Sequence, residues 1–387
     1  MRCVFVSRII AAPPNLLSRA FTTSSAQRSE QTRVRVPCNS NGSIDLDVYY
    51  PDDGGRANTR TACIYLPRGP IRNHAEDDAS NISALRSVLR CPVVTVNYRH
   101  GTEYKHPQPV FDVAAGYDWV VQNILNCSTG HRSNGKIAVC GELFGGSLAT
   151  TLALTECRTD ESASVVAAAI NNAVFDWINI DKNPGGSARD GKSQTSRIDI
   201  MELCRQRTLL FRKLEDYFDP FASPILFFRA AGSKVPSPVV PLSEMEELAQ
   251  DERKEFLESM RSHALPGGDA VHTVEAPADV EVTRRSSRRF PSKSLALRLP
   301  QFRIEAGADS LLGDQAAELS RLLLKAVDRQ QKGRPSRGWD TARMDKATTE
   351  DMVEVEEVEG VGLWGRSTSG TSRMRSTAHW LNEALHG

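Results

Sequence analysis

The 387-residue sequence is long enough for one large domain with insertions, and its 48 Lys+Arg balance 48 Asp+Glu. That balance provides no global field to attract nucleic acid or an anionic membrane surface. The eight cysteines include no C-x-x-C pair, none of the eight histidines has metal-ligand spacing, and no apolar run is long enough to span a bilayer. Reduced, mostly buried thiols are therefore expected, with no metal, no other cofactor and no transmembrane segment.

Residues 1–30 carry Arg2, Arg8, Arg19 and Arg28 among serines, ahead of Glu30, the first acidic residue. This composition predicts a mitochondrial transit peptide, with cleavage near Phe21 and the matrix as destination; a secretory signal is the alternative, disfavoured because Arg8 interrupts a short apolar run. Residues 31–387 then read as one domain. Residues 33–36 and 44–50 flank Asn41-Gly42 as an entry hairpin. Strands are expected at residues 61–66, 91–99, 136–140 and 164–169, separated by helices over 79–89 and 110–121 and a further one from residue 147. This alternation predicts a doubly wound, mostly parallel α/β sheet. Residues 176–294 break the rhythm, with a predicted amphipathic helix over 198–217, a charged, helix-prone stretch over 244–261, a loop over 264–277 and a basic cluster over 284–289. The α/β pattern resumes with a strand over 299–307, a helix over 315–327, a polar insertion over 330–349 and a strand over 351–358. His74, His100 and His106 lie in loops, and His379 lies in the last helix.

The most informative stretch is Gly141-Glu142-Leu143-Phe144-Gly145-Gly146, between an apolar strand and a helix. A strand turning sharply into a helix needs small residues beside its apex, and the glycines supply them. In a hydrolase the apex is a nucleophilic serine. Leu143 has no proton to give and no lone pair with which to attack.

Residues 91–99, ending in Asn97-Tyr98-Arg99, lead through His106-Pro107-Gln108-Pro109 to a helix bearing Asp112, Tyr117 and Trp119. Together with the glycine frame this resembles the hormone-sensitive-lipase-like branch of the α/β-hydrolases. The resemblance implies an eight-stranded, mostly parallel sheet with a helical cap, for which residues 176–294 are the expected source. It places the oxyanion loop on Pro67, Arg68, Gly69 and Pro70, where one glycine remains and two prolines lack an N–H. It places the catalytic acid on Ser310, with Asp309 as the alternative one residue away, and the histidine on Leu363. The triad positions then read Leu143, Ser310 and Leu363. Relocated chemistry has two weak candidates, Ser147 and Asp309. For Ser147 the ordinary role is a bond back to its own helix, and for Glu142 it is to hold the turn.

The expectation is an α/β-hydrolase-fold protein without hydrolytic machinery, which acts by binding a partner protein or a small apolar ligand. The alternative is a weak or relocated carboxylic-ester hydrolase.

Overall fold

The computed structural model describes residues 31–38, 42–51, 60–71, 75–125, 135–180, 200–234, 286–332 and 350–387. The predicted transit peptide, the stretches at 244–261 and 264–277, His74 and most of the insertion at 330–349 lie outside these residues. Eight strands form one sheet in the order β1-β2-β4-β3-β5-β6-β7-β8. They are β1 (Gln31–Pro37), β2 (Ser43–Tyr49), β3 (Thr61–Leu66), β4 (Val93–Asn97), β5 (Gly135–Glu142), β6 (Ala163–Asn171), β7 (Gln301–Gly307) and β8 (Val353–Val358). The entry hairpin β1–β2 is antiparallel, β2 joins β4 antiparallel, and β3 to β8 are parallel neighbours.

β3 is buried at every residue and β5 at all but one, because helices cover both faces of the parallel sheet. On one side lie α2 (Gln108–Asn123), α3 (Leu143–Thr155) and α5 (Gly313–Lys332), which pack around Val94, Val139, Ile170 and Phe302. On the other lie α1 (Ala75–Val88) and α6 (Thr368–His386), with Leu85, Met374 and Leu381 closing a second core over Cys63, Cys140 and Ala169. The free cysteines of the described residues are mostly in these cores. No helix of the described residues is long and apolar enough to cross a membrane.

Several element boundaries differ from the sequence expectation. β5 runs on through Gly141 and Glu142, which pair with Ile170 and Asn171 on β6; ladder bonds carry the strand to the edge of the turn despite the glycine. The helix expected over 198–217 is α4 (Ile200–Leu210), followed by a 3₁₀ turn, Leu214–Phe218. It stops where the Lys105 ammonium donates to the carbonyls of Thr208 and Phe211 at 2.9 and 3.1 Å, satisfying groups left open at a helix C-terminus. The helix expected over 315–327 extends five residues further, to Lys332.

Candidate functional site

The parallel strands end together at one rim, where β5 turns into α3. Leu143 stands at this apex with φ of 55°, a left-handed conformation that is unfavourable for a leucine. The glycines around it allow backbone to touch backbone. A Cβ on Gly145 would lie 2.1 Å from the Pro67 carbonyl oxygen and 2.5 Å from that of Leu66, and one on Gly141 would lie 2.6 Å from the Gly145 oxygen. The elbow is therefore wedged against the loop after β3, and only glycine fits at these positions.

Leu143 is fully buried in the larger core. Next to it in the chain, Phe144 begins a series of ring contacts: Tyr98 at 5.9 Å on one side and Trp177 at 6.4 Å on the other, then Trp177 to Phe211 at 5.4 Å and Phe211 to Tyr217 at 5.0 Å. All are edge-on, a favourable arrangement of aromatic quadrupoles. The residues expected to cap the site thus supply Phe211 and Tyr217 to a packed aromatic layer beside the elbow. His106 joins this layer through Phe211 and pairs with Asp219 at 2.9 Å, while His100 packs on Tyr98, its pKa lowered by burial.

Ser147 lies one turn into α3, 2 % exposed. Its hydroxyl is positioned to donate to the carbonyls of Val174 at 2.7 Å and Leu143 at 3.2 Å. Ser310 follows β7; its hydroxyl accepts from the Leu312 N–H at 3.3 Å, and its own N–H donates to the Gly307 carbonyl. Asp309 is exposed, its N–H bound to the Gly360 carbonyl. Leu363 is half-buried against the larger core.

Pro67 accepts the Tyr98 hydroxyl on its carbonyl at 2.6 Å, and Gly69 turns the chain at φ of 75°. Between them, Arg68 points inward and is 1 % exposed. It forms ion pairs with Glu142 and Asp77 and donates to the Trp364 carbonyl. Glu142 is fully buried and also accepts from the Trp364 N–H at 2.6 Å and the Asn171 amide at 2.8 Å. Burial pushes its carboxyl up to about 7, against the opposing pull of Arg68. Burial disfavours the charge on Arg68 too, yet the field of Glu142 leaves its pKa raised.

Trp364 belongs to the loop after β8, and this loop is bound inward along its length. The Asn172 amide donates to the Val361 carbonyl at 3.0 Å, the Asn171 amide and Arg373 to that of Gly362 at 2.8 and 2.9 Å, and Arg373 to that of Leu363 at 2.7 Å. The Trp364 indole N–H reaches Glu305 at 3.0 Å. Sequence reasoning did not single out Asn171, Asn172, Glu305, Trp364 or Arg373. The available signal was the pair of amides ending an otherwise apolar strand, since buried amides at a sheet end need partners. A cavity of about 290 Å³ lined by Phe228, Ser287, Leu322, Lys325, Asp328 and Arg329 shares no lining residue with the elbow.

The profile of the alpha/beta hydrolase fold matches residues 71–279, more than half of the chain. The chain belongs to this family. Similar solved structures cover nearly all of the hydrolase-like chain. A carboxylesterase cloned from a metagenomic library is 17 % identical over 92 % of this chain and 90 % of its own, with a TM-score of 0.53. A Pyrobaculum calidifontis esterase is 16 % identical over 92 % and 85 %, with a TM-score of 0.51. A carboxyl esterase of the fungus Tuber melanosporum is 10 % identical over 94 % and 90 %, with a TM-score of 0.54. At these identities the likeness extends to the fold alone. No curated protein matches the chain.

Proposed function

We propose that this α/β-hydrolase-fold chain is a pseudohydrolase that works by binding a partner protein in mitochondria. The observation that carries the reading is Leu143: the strained apex of the elbow is kept, yet it holds a fully buried leucine packed in the larger core. Acyl transfer needs a nucleophile, a base within hydrogen-bond reach and donors aimed at the developing oxyanion. Leu143 and Leu363 can serve neither as nucleophile nor as base, and the Ser147 hydroxyl is engaged with main-chain carbonyls. The aromatic layer from Tyr98 to Tyr217 fills space beside the elbow, which favours a partner at the surface over a small apolar ligand at the apex. Residues 1–30 supply the case for import.

Full-length protein assayed with short-chain aryl esters is expected to show no turnover above buffer, and Leu143→Ser alone to create none. Turnover abolished by Ser147→Ala or Asp309→Asn would support the esterase alternative and sink the reading. Fusion of residues 1–30 to a reporter should direct it to mitochondria; a reporter left in the cytosol or secreted would remove the mitochondrial part.

A further inference from the structure

Among the described residues the sheet ends in two edge strands, β1 and β8, whose side chains complement each other. Both strands point the same way, because β1 is antiparallel to β2, β2 is antiparallel to β4, and the strands from β4 to β8 are parallel. Their faces also correspond. Val36 on β1 and Val353 on β8 are buried in the larger core, with Val34 packed against it. Val355, in register with Ile304, continues that face and is 49 % exposed. The opposite face carries Arg33 and Arg35 on β1 and Glu354 and Glu356 on β8, all exposed.

On that opposite face each edge strand is paired with charges of its inner neighbour. Asp47 and Asp45 on β2 hold Arg33 and Arg35 at 2.7 and 3.2 Å. Arg303 on β7 reaches Glu354 and Glu356 at 3.7 and 2.9 Å and also holds Glu305, which stands opposite Glu356 in the ladder, at 3.1 Å. Placing β1 of one copy beside β8 of another sets the exposed arginines of one edge against the exposed glutamates of the other. Pairing either edge with itself sets like charges together. An antiparallel β8 pair sets Glu354 opposite Glu356, and an antiparallel β1 pair sets Arg33 opposite Arg35; like charges directly opposite destabilise a ladder.

We propose that the chain associates head to tail, β1 of one copy adding in parallel to β8 of the next. The two surfaces differ, so the contact is heterologous and does not close on itself as a two-fold dimer does. Backbone hydrogen bonds between the two edge strands provide the attraction, while exposed ion pairs, individually weak, choose which edge is accepted. The surface is separate from the elbow, so its fate does not depend on how the elbow functions.

Sedimentation of the full chain over a concentration series tests this. The expected result is a weight-average mass that climbs without a dimer plateau and falls at about 1 M salt, where the screening length shrinks to about 3 Å. Arg33→Glu/Arg35→Glu and Glu354→Arg/Glu356→Arg should each weaken association about tenfold alone. Their equimolar mixture should regain it, since each variant then offers the edge the other accepts. A chain that stays monomeric throughout, a closed dimer indifferent to the β1 variant, or a mixture that fails to recover would overturn the proposal. Should reversal beside Asp45 and Asp47 unfold the hairpin, as circular dichroism reads, Arg33→Gln/Arg35→Gln takes its place: a several-fold loss of association is expected, and unchanged association overturns the proposal.

Discussion

Two side chains at the elbow lead to opposite kinds of prediction. Leu143 combines deep burial with a left-handed backbone. Truncation removes packing worth about 2–5 kcal/mol, but glycine also relieves a backbone cost of about 1–2 kcal/mol that alanine retains. Leu143→Gly should therefore be more stable than Leu143→Ala by about 1 kcal/mol, the reverse of the order in a helix interior, as urea unfolding of the two would measure. Glu142 leads to a pH dependence. Its folded-state pKa, about 7, lies above the ordinary 4.5, so the folded chain holds the proton more tightly than the unfolded one. The stability this contributes is complete below about pH 4.5 and is lost as pH rises through about 7. Wild type should lose roughly 3 kcal/mol relative to Glu142→Gln between about pH 4.5 and 7.5, with a constant difference above. Unfolding both proteins across that range checks the sign.

At the scale of elements, the loop after β8 is held by amides at the end of β6, by Glu142 at the end of β5 and by Arg373 on α6. These bonds join segments that lie far apart in sequence. Breaking one leaves a buried partner unsatisfied, at about 1–3 kcal/mol. Asn171→Ala removes bonds to both Glu142 and the Gly362 carbonyl. It should lower stability by about that amount and speed exchange of the Trp364 amide hydrogen, while α2, which belongs to the other face, keeps its protection. Uniform acceleration over the whole chain would instead mean that the loop opens only with global unfolding. The 3₁₀ turn after α4 is also set at this scale, because a lysine from a separate loop takes the carbonyls that a longer helix would have used.

At the scale of the molecule, one sheet separates two cores, and among the described residues β1 and β8 form its edges. The alternation of apolar strands and helices was legible in the sequence because period and run length are local properties, and so was the elbow, because the close approach of backbones demands glycine. The acidic residue inside the elbow was legible too, although its partners were not. Arg68 reads in sequence as one more residue of a loop between prolines; only the fold turns it inward onto Glu142, Asp77 and Trp364, 74, 9 and 296 positions away. The aromatic layer is similar: Tyr98, Phe144, Trp177 and Phe211 come from four separate segments, and no local pattern brings them together. By itself the sequence determined the family, the glycine frame and the leucine at its apex. Tertiary structure alone decided what surrounds that leucine and which charges end up buried, because burial and pairing depend on neighbours supplied by distant parts of the chain.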